Sequence, residues 1–306
     1  MQKSSNYHPA TQVLLLVILA LFGAAIFSFL GIIAWLILDP QASLSILTNQ
    51  ENIASNLLFM KLMQIFSSAG MFIVAPIAFA FINQQKPKSY FYFDKPLSLN
   101  LVFLVIAILF FSNPVFDLLI KLNQNIPFPD FLKTIEDWMK QKEDEAGQLT
   151  KQLLVMKSYG DLSVNLLMIA IIPAIGEELF FRGGLQNIFK SWFKNHHLAI
   201  WITAILFSAI HLQFFGFFPR LFLGALFGYL LVYGKSIWLP ILGHFLNNAS
   251  AVIYAFILQK NGESLETLEK AGDYPYPLYA ISSIITLVLL LIFYKQTKNE
   301  KLISYE

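Results

Sequence analysis

Ile171-Ile-Pro-Ala-Ile-Gly-Glu177-Glu178-Leu-Phe-Phe-Arg182 sets two adjacent carboxylates and a guanidinium inside an apolar run that begins near Leu162. Charges at membrane depth are costly, face the protein interior and mark a functional path or site. The rest of the sequence is therefore read for what pairs with these three groups. Glu178 and Arg182 are four apart, so on a helix they share a face and form an ion pair. Glu177 is rotated by about 100° from Glu178 around the axis. A division of labour follows, in which one carboxylate anchors the arginine and the other is free for chemistry.

The surroundings are those of a membrane protein. The chain of 306 residues is 57% hydrophobic and only 13% charged, with a mean hydropathy of +0.61; a soluble domain carries about a quarter charged residues. The formal net charge of +2 gives no case for nucleic acid as a partner, and the absence of cysteine excludes disulfides, thiol chemistry and cysteine-ligated metal. The run after the polar Met1–Gln12 segment is too long for a signal-peptide core and is read as a retained first span.

Eight apolar segments are long enough, or nearly so, to cross a bilayer: 13–38, 57–82, 99–120, 166–189, 198–215, 217–233, 237–258 and 278–294. The sequence thus predicts an all-α, polytopic helical bundle. It is a single integral-membrane domain over 1–306, with N-terminal spans at 13–120, an outer amphipathic region at 121–161 and a motif-bearing core at 162–258. Lys3, the group Lys86, Lys88 and Lys95, the pair Lys190 and Lys194, then Lys235, then Lys295, Lys298 and Lys301 fall on one side of the alternating loops. Acidic clusters such as Glu143-Asp144-Glu145 and Glu263, Glu266, Glu269 fall on the other. The positive-inside rule then places both termini in the cytoplasm, consistent with an even span count. For a bacterial protein the membrane would be the inner one. In the 121–161 region Phe131, Ile135, Trp138 and Met139 recur at helical spacing beside acids and lysines, which predicts an amphipathic packing helix at the outer interface.

Two further motifs belong to the constellation. Phe207-Ser-Ala-Ile-His211 puts a histidine in the fifth segment; a hairpin turning near Lys194–His196 leaves Glu177 and His211 equally far from the turn, and so at about the same depth. His244-Phe-Leu-Asn247-Asn248 puts His244 and Asn248 on one face of the seventh segment, four residues beyond Pro240, a residue suited to a helix start or kink. Buried imidazoles and a carboxylate converging on one core are the ingredients for activating water.

Glu-Glu-x-x-x-Arg, Phe-x-x-x-His and His-x-x-x-Asn, in that order on separate apolar segments, resemble the CPBP intramembrane protease family, which includes CAAX prenyl endopeptidases and bacteriocin-processing enzymes. The resemblance covers 162–254, about a third of the chain. It implies that Glu177 polarises the hydrolytic water, that His211 positions it, and that His244 and Asn248 stabilise the oxyanion, with Glu178 and Arg182 holding the site together. Asn247 is not the matching position. The resemblance leaves two mechanisms open, a metal-free glutamate protease, towards which this reading leans, and a zinc enzyme with Glu177, His211 and His244 as ligands.

The expected partners are a peptide or protein substrate at the membrane and the bilayer itself, with no nucleic acid. A proton- or cation-coupled transporter using the buried acids and histidines is the competing function, although no inverted repeat accompanies it; a non-catalytic scaffold is the third. Polar residues in spans often serve only as interhelical hydrogen bonds, but under that reading the second carboxylate has no partner. Trp35, Trp192, Trp201 and Trp238 are read as interfacial anchors. The segment Phe214-Phe-Gly-Phe-Phe-Pro-Arg220 is read as the outer turn before the sixth span, with Arg220 at the interface.

Overall fold

In hydrocarbon an apolar chain must close its backbone hydrogen bonds within each segment, and helices do so. The computed structural model describes residues 7–41, 56–95, 97–269 and 274–303, and those residues are helix and connecting turns, with no strand among them. In chain order the main elements are α1 (Pro9–Leu38), α2 (Leu57–Ile82), α3 (Leu99–Gln124), α4 (Lys133–Leu153) and α5 (Tyr159–Phe193). They continue with α6 (His196–Ala209), α7 (Phe217–Gly234), α8 (Trp238–Lys260) and α9 (Tyr276–Ile303). Lys3 and most of the loop between α1 and α2 lie outside the described residues, as do the side chains of Glu269 and Lys301.

Among the described residues seven helices are long and apolar enough to cross a membrane, so the chain is a multi-pass integral membrane protein. The sequence reading gave eight. The difference is the segment 198–215: its helix, α6, has 14 residues and reaches about 21 Å against a hydrocarbon core of about 30 Å. It stops at Ala209 because the chain turns there, with Leu212 in the left-handed region (φ +52°). A 3-10 turn at Phe214–Gly216 then leads into α7. The even count that supported the position of the termini is lost with that span.

Local chemistry sets the boundaries. Asn195 caps α6, its side-chain oxygen accepting from the His197 and Leu198 amides, and Lys194 before it takes a left-handed conformation (φ +54°). The α5–α6 turn therefore falls at the expected place. Ser158 and Asp161 form a reciprocal capping box at the start of α5. Pro240 lies in the first turn of α8, as expected.

Two packed layers carry the core. One joins Leu16 and Ala20 of α1, Ala75 and Phe79 of α2, and Phe180, Phe181, Leu185 and Ile188 of α5, with Phe207 of α6. The other joins Leu101, Val105 and Ile108 of α3 to Phe227 and Leu230 of α7, Leu239 of α8 and Phe293 of α9. Gly23 and Gly70 meet at the α1–α2 crossing, where a Cβ on either would overlap the other's backbone carbonyl; the close approach requires glycine. Trp35 is not an interfacial anchor: it is 3% exposed and packs edge-on against Phe59 at 5.1 Å. Trp192 and Trp238 keep more than a third of their surface exposed.

Polar ties cross the same layers. Tyr279 of α9 donates to Asp117 of α3 (2.8 Å), and Lys121 donates to the Tyr279 hydroxyl (2.9 Å). Asn123, at the end of α3, donates to the Phe214 carbonyl (3.0 Å) and accepts from the Phe218 amide (2.8 Å), which pins the turn before α7. The expected amphipathic helix is α4, with Phe131 just ahead of it and Ile135 and Trp138 on it largely exposed. Trp138 packs against Phe214 of that same turn at 5.2 Å.

Candidate active site

Helix α5 is not a uniform α-helix. π-Helical stretches at Leu166–Ile171 and Glu178–Leu185 flank the α-helical segment Ile172–Glu177, so the two carboxylates straddle a change of helical pitch. Such π segments concentrate at functional sites because they re-aim side chains and free backbone groups. Pro173 contributes directly: it has no N–H to give to the carbonyl four residues earlier, that of Ile169. Asn248 of α8 takes that carbonyl instead, its Nδ2 donating over 2.9 Å.

Glu178 and Arg182 are wholly buried, and Arg182 Nη1 donates to Glu178 Oε1 over 2.9 Å. The two pair as their i,i+4 spacing predicts, and the brace reaches further than one helix. Arg182 Nη2 donates to the Gly224 carbonyl of α7 (3.0 Å), and the guanidinium lies 4.5 Å from the centre of the Phe207 ring of α6 and 5.4 Å from that of Phe227 of α7. Gly224 permits the approach: a Cβ there would press on Phe207 at 3.1 Å and on Ala204 at 3.3 Å.

His244 is the third member. It is 4% exposed, and its Nδ1 lies 2.9 Å from the same Glu178 Oε1. A carboxylate oxygen only accepts here, so Nδ1 carries the proton and the other ring nitrogen is turned away from the brace. That nitrogen, Nε2, faces Glu177 Oε2 at 3.8 Å, beyond hydrogen-bond length. The ring stacks on Phe227 (5.5 Å, 20°) and meets Phe207 edge-on (6.0 Å). Glu178 thus serves Arg182 and His244 together, while the Glu177 carboxylate stays partly accessible, at 14% exposure.

His211 sits in the turn after α6, half-buried, with Nδ1 2.8 Å from the Phe207 carbonyl. A carbonyl cannot donate, so Nδ1 bears the proton and Nε2 is left as an acceptor. The direct neighbour of Glu177 is His244, whereas the hairpin argument paired it with His211. Both Glu177 and His211 interact electrostatically with His244 and with Arg220. Asn248 is half-buried; besides its bond to Ile169 it accepts from Asn247, which is exposed (3.0 Å).

Two contributors escaped the sequence reading. Phe207 shows in the sequence only as the first residue of a motif, yet its ring meets Arg182 and His244 and its carbonyl holds His211. Arg220 was placed at the interface, but it is half-buried, its Nη2 bonds Gln213 Oε1 (2.7 Å), and its charge acts on Glu177, His211 and, from the outer helix α4, Glu143. The signal for Arg220 was its place one turn into α7, facing back over the α6–α7 turn.

Among the described residues no three His, Asp or Glu side chains converge as a metal-binding group.

Residues 160–250 match the model of the family described as Type II CAAX prenyl endopeptidase Rce1-like. The match contains the Glu177-Glu178-x-x-x-Arg182, Phe207-x-x-x-His211 and His244-x-x-x-Asn248 motifs. No curated protein and no solved structure matches the chain.

Proposed function

We propose that the protein is an intramembrane endopeptidase in which Glu177, with His211, activates water for attack on a peptide carbonyl. Glu177 takes a proton from water; the water oxygen bonds to the carbonyl carbon, whose π pair moves onto oxygen. His211 Nε2, left as an acceptor by the Phe207 carbonyl, orients the same water. The oxyanion is stabilised by His244, when its Nε2 carries a proton, and by the Asn248 N–H not engaged by Ile169. On collapse the C–N bond breaks and Glu177 returns its proton to the departing amine.

The observation that carries this reading is the unequal use of the two glutamates. Glu178 Oε1 is shared by Arg182 and His244 in a fully buried brace, while Glu177 faces His244 Nε2 across 3.8 Å with no hydrogen bond of its own. A purely structural pair would not need the second acid. We further propose that no metal takes part, and that both termini lie on the lysine-rich, cytoplasmic side; the short α6 still returns the chain between α5 and α7, whose lysine-bearing ends line one pocket.

The test is to map new peptide termini in membranes containing wild-type protein, Glu177→Gln or His211→Ala. A lost general base should reduce cleavage roughly 10²–10⁴-fold with the variants still inserted and folded. Full activity in both variants overturns the assignment. Chelation of the purified wild-type protein decides the metal question: retained activity after verified metal removal excludes zinc, and loss restored by zinc excludes the metal-free mechanism.

A further inference from the structure

At the lysine-bearing ends of α5, α7 and α9 two cavities share a wall. One is an apolar groove of about 590 Å³ between α3, α7 and α9, lined by residues such as Ile108, Phe222, Leu226, Leu287 and Phe293, and reaching Tyr233. It is open sideways, since Phe222, Leu287 and Tyr294 on its rim are each more than 40% exposed. The other is a pocket of about 300 Å³ whose polar lining includes Tyr92, Gln186, Lys190, Lys235 and again Tyr233.

The groove follows α7 from Phe222 to Tyr233, eleven residues or about 16 Å, close to half of a hydrocarbon core of about 30 Å. That is the depth of one leaflet. Tyr233 stacks on Tyr229 (5.8 Å) and meets Tyr294 edge-on (5.0 Å), an aromatic neck of the kind found at the level of lipid headgroups. Beyond the neck, no carboxylate is among the residues that line the pocket, while two lysines are. Gln186 adds an independent sign of a ligand: it is 3% exposed, its Nε2 donates to the Gly228 carbonyl, and its Oε1 has no hydrogen-bond partner. An unpartnered acceptor on the lining of a pocket that also carries two cations suits a headgroup that offers both a phosphate and a hydroxyl.

We propose that the groove and the pocket together form a binding site for one anionic phospholipid, its acyl chain along α7 and its phosphate between Lys190 and Lys235, with Gln186 Oε1 accepting from a headgroup hydroxyl. The site is separate from the glutamate–histidine cluster and does not depend on the proposed chemistry.

Native mass spectrometry of the detergent-purified full chain tests this, with phosphatidylglycerol, phosphatidylcholine and inorganic phosphate as separate probes. Wild-type protein should retain one phosphatidylglycerol about tenfold or more tightly than phosphatidylcholine, and the charge-reversed K190E/K235E pair should lose that preference. Ser283→Trp, which fills the groove and leaves the lysines in place, should release the lipid as well. Equal retention of the two lipids by wild-type protein overturns the proposal, as does unchanged phosphatidylglycerol binding in K190E/K235E or in a folded Ser283→Trp. Displacement of the lipid by equimolar phosphate would show a phosphate pocket alone and overturns it too.

Discussion

The two adjacent glutamates answer differently to the same substitution, because their surroundings differ. Glu178→Gln leaves Arg182 and its neighbours without the carboxylate that neutralises them in a wholly buried site. Removing one partner of a buried pair costs about 3–5 kcal/mol, so this variant should unfold at markedly lower temperature in detergent. Glu177→Gln touches a group with no hydrogen bond to lose and should leave thermal unfolding nearly unchanged while cleavage collapses. Thermal unfolding of the two purified variants side by side decides it; equal destabilisation would remove the distinction between brace and base. The Glu178–Arg182 pair was legible in sequence because i,i+4 spacing acts within one helix. The tie from Glu178 to His244 was not, since it joins residues 66 apart in the chain and depends on how α5 and α8 are rotated. Sequence spacing also could not show that Pro173 releases a carbonyl for Asn248, although proline's missing N–H gives the reason at once.

At the scale of elements, α4 was visible as an amphipathic repeat, but its docking was not. Its Glu143 carboxylate is half-buried and accepts from the Phe215 amide at 3.3 Å. Burial raises its pKa above the usual carboxylate value, against the opposing pull of the Phe215 and Phe214 amides and Arg220; Asp144 adds to the rise. The docked helix therefore holds Glu143's proton more tightly than a detached one. Docking is strongest at low pH and weakens as pH rises through and beyond the ordinary carboxylate range. The exposed pairs of Glu136 with Lys140 and of Glu145 with Lys142 lie within α4 itself and persist whether or not it is docked. Amide exchange across 133–153, corrected for intrinsic rates, should show protection falling with pH in the wild type and a flatter profile in Glu143→Gln. A wild-type profile that rises with pH would contradict this account. The same turn explains the miscounted span: an apolar stretch from 198 to 215 satisfies a hydropathy window, yet the window does not register that the chain leaves the helix at Ala209 to aim His211 and Arg220 inward.

For the whole molecule, the family match stops at residues 160–250, but the packing does not. Phe180, Phe181, Leu185 and Ile188 of α5, which follow the glutamates in the chain, rest on Leu16 and Ala20 of α1 and on Ala75 and Phe79 of α2, and the second layer binds α7 and α8 to α3 and α9. No motif in residues 9–124 announced this support; their apolar character made them legible as spans and nothing more, because every face of such a helix is apolar and lipid and protein neighbours leave the same composition. The consequence is testable by dividing the chain at 127/128, where the loop after α3 is exposed and a break removes little packing. The fragment 128–306 holds all three motifs, yet it lacks the surfaces under α5 and along α7. Expressed alone, it should insert but give neither a cooperative unfolding transition nor cleavage. Co-expressed with 1–127 it should regain both, because the contacts between the layers need no covalent link. A fragment 128–306 that is folded and fully active alone would show that the N-terminal helices only shield the core from lipid, and that the site is built by the family domain without them.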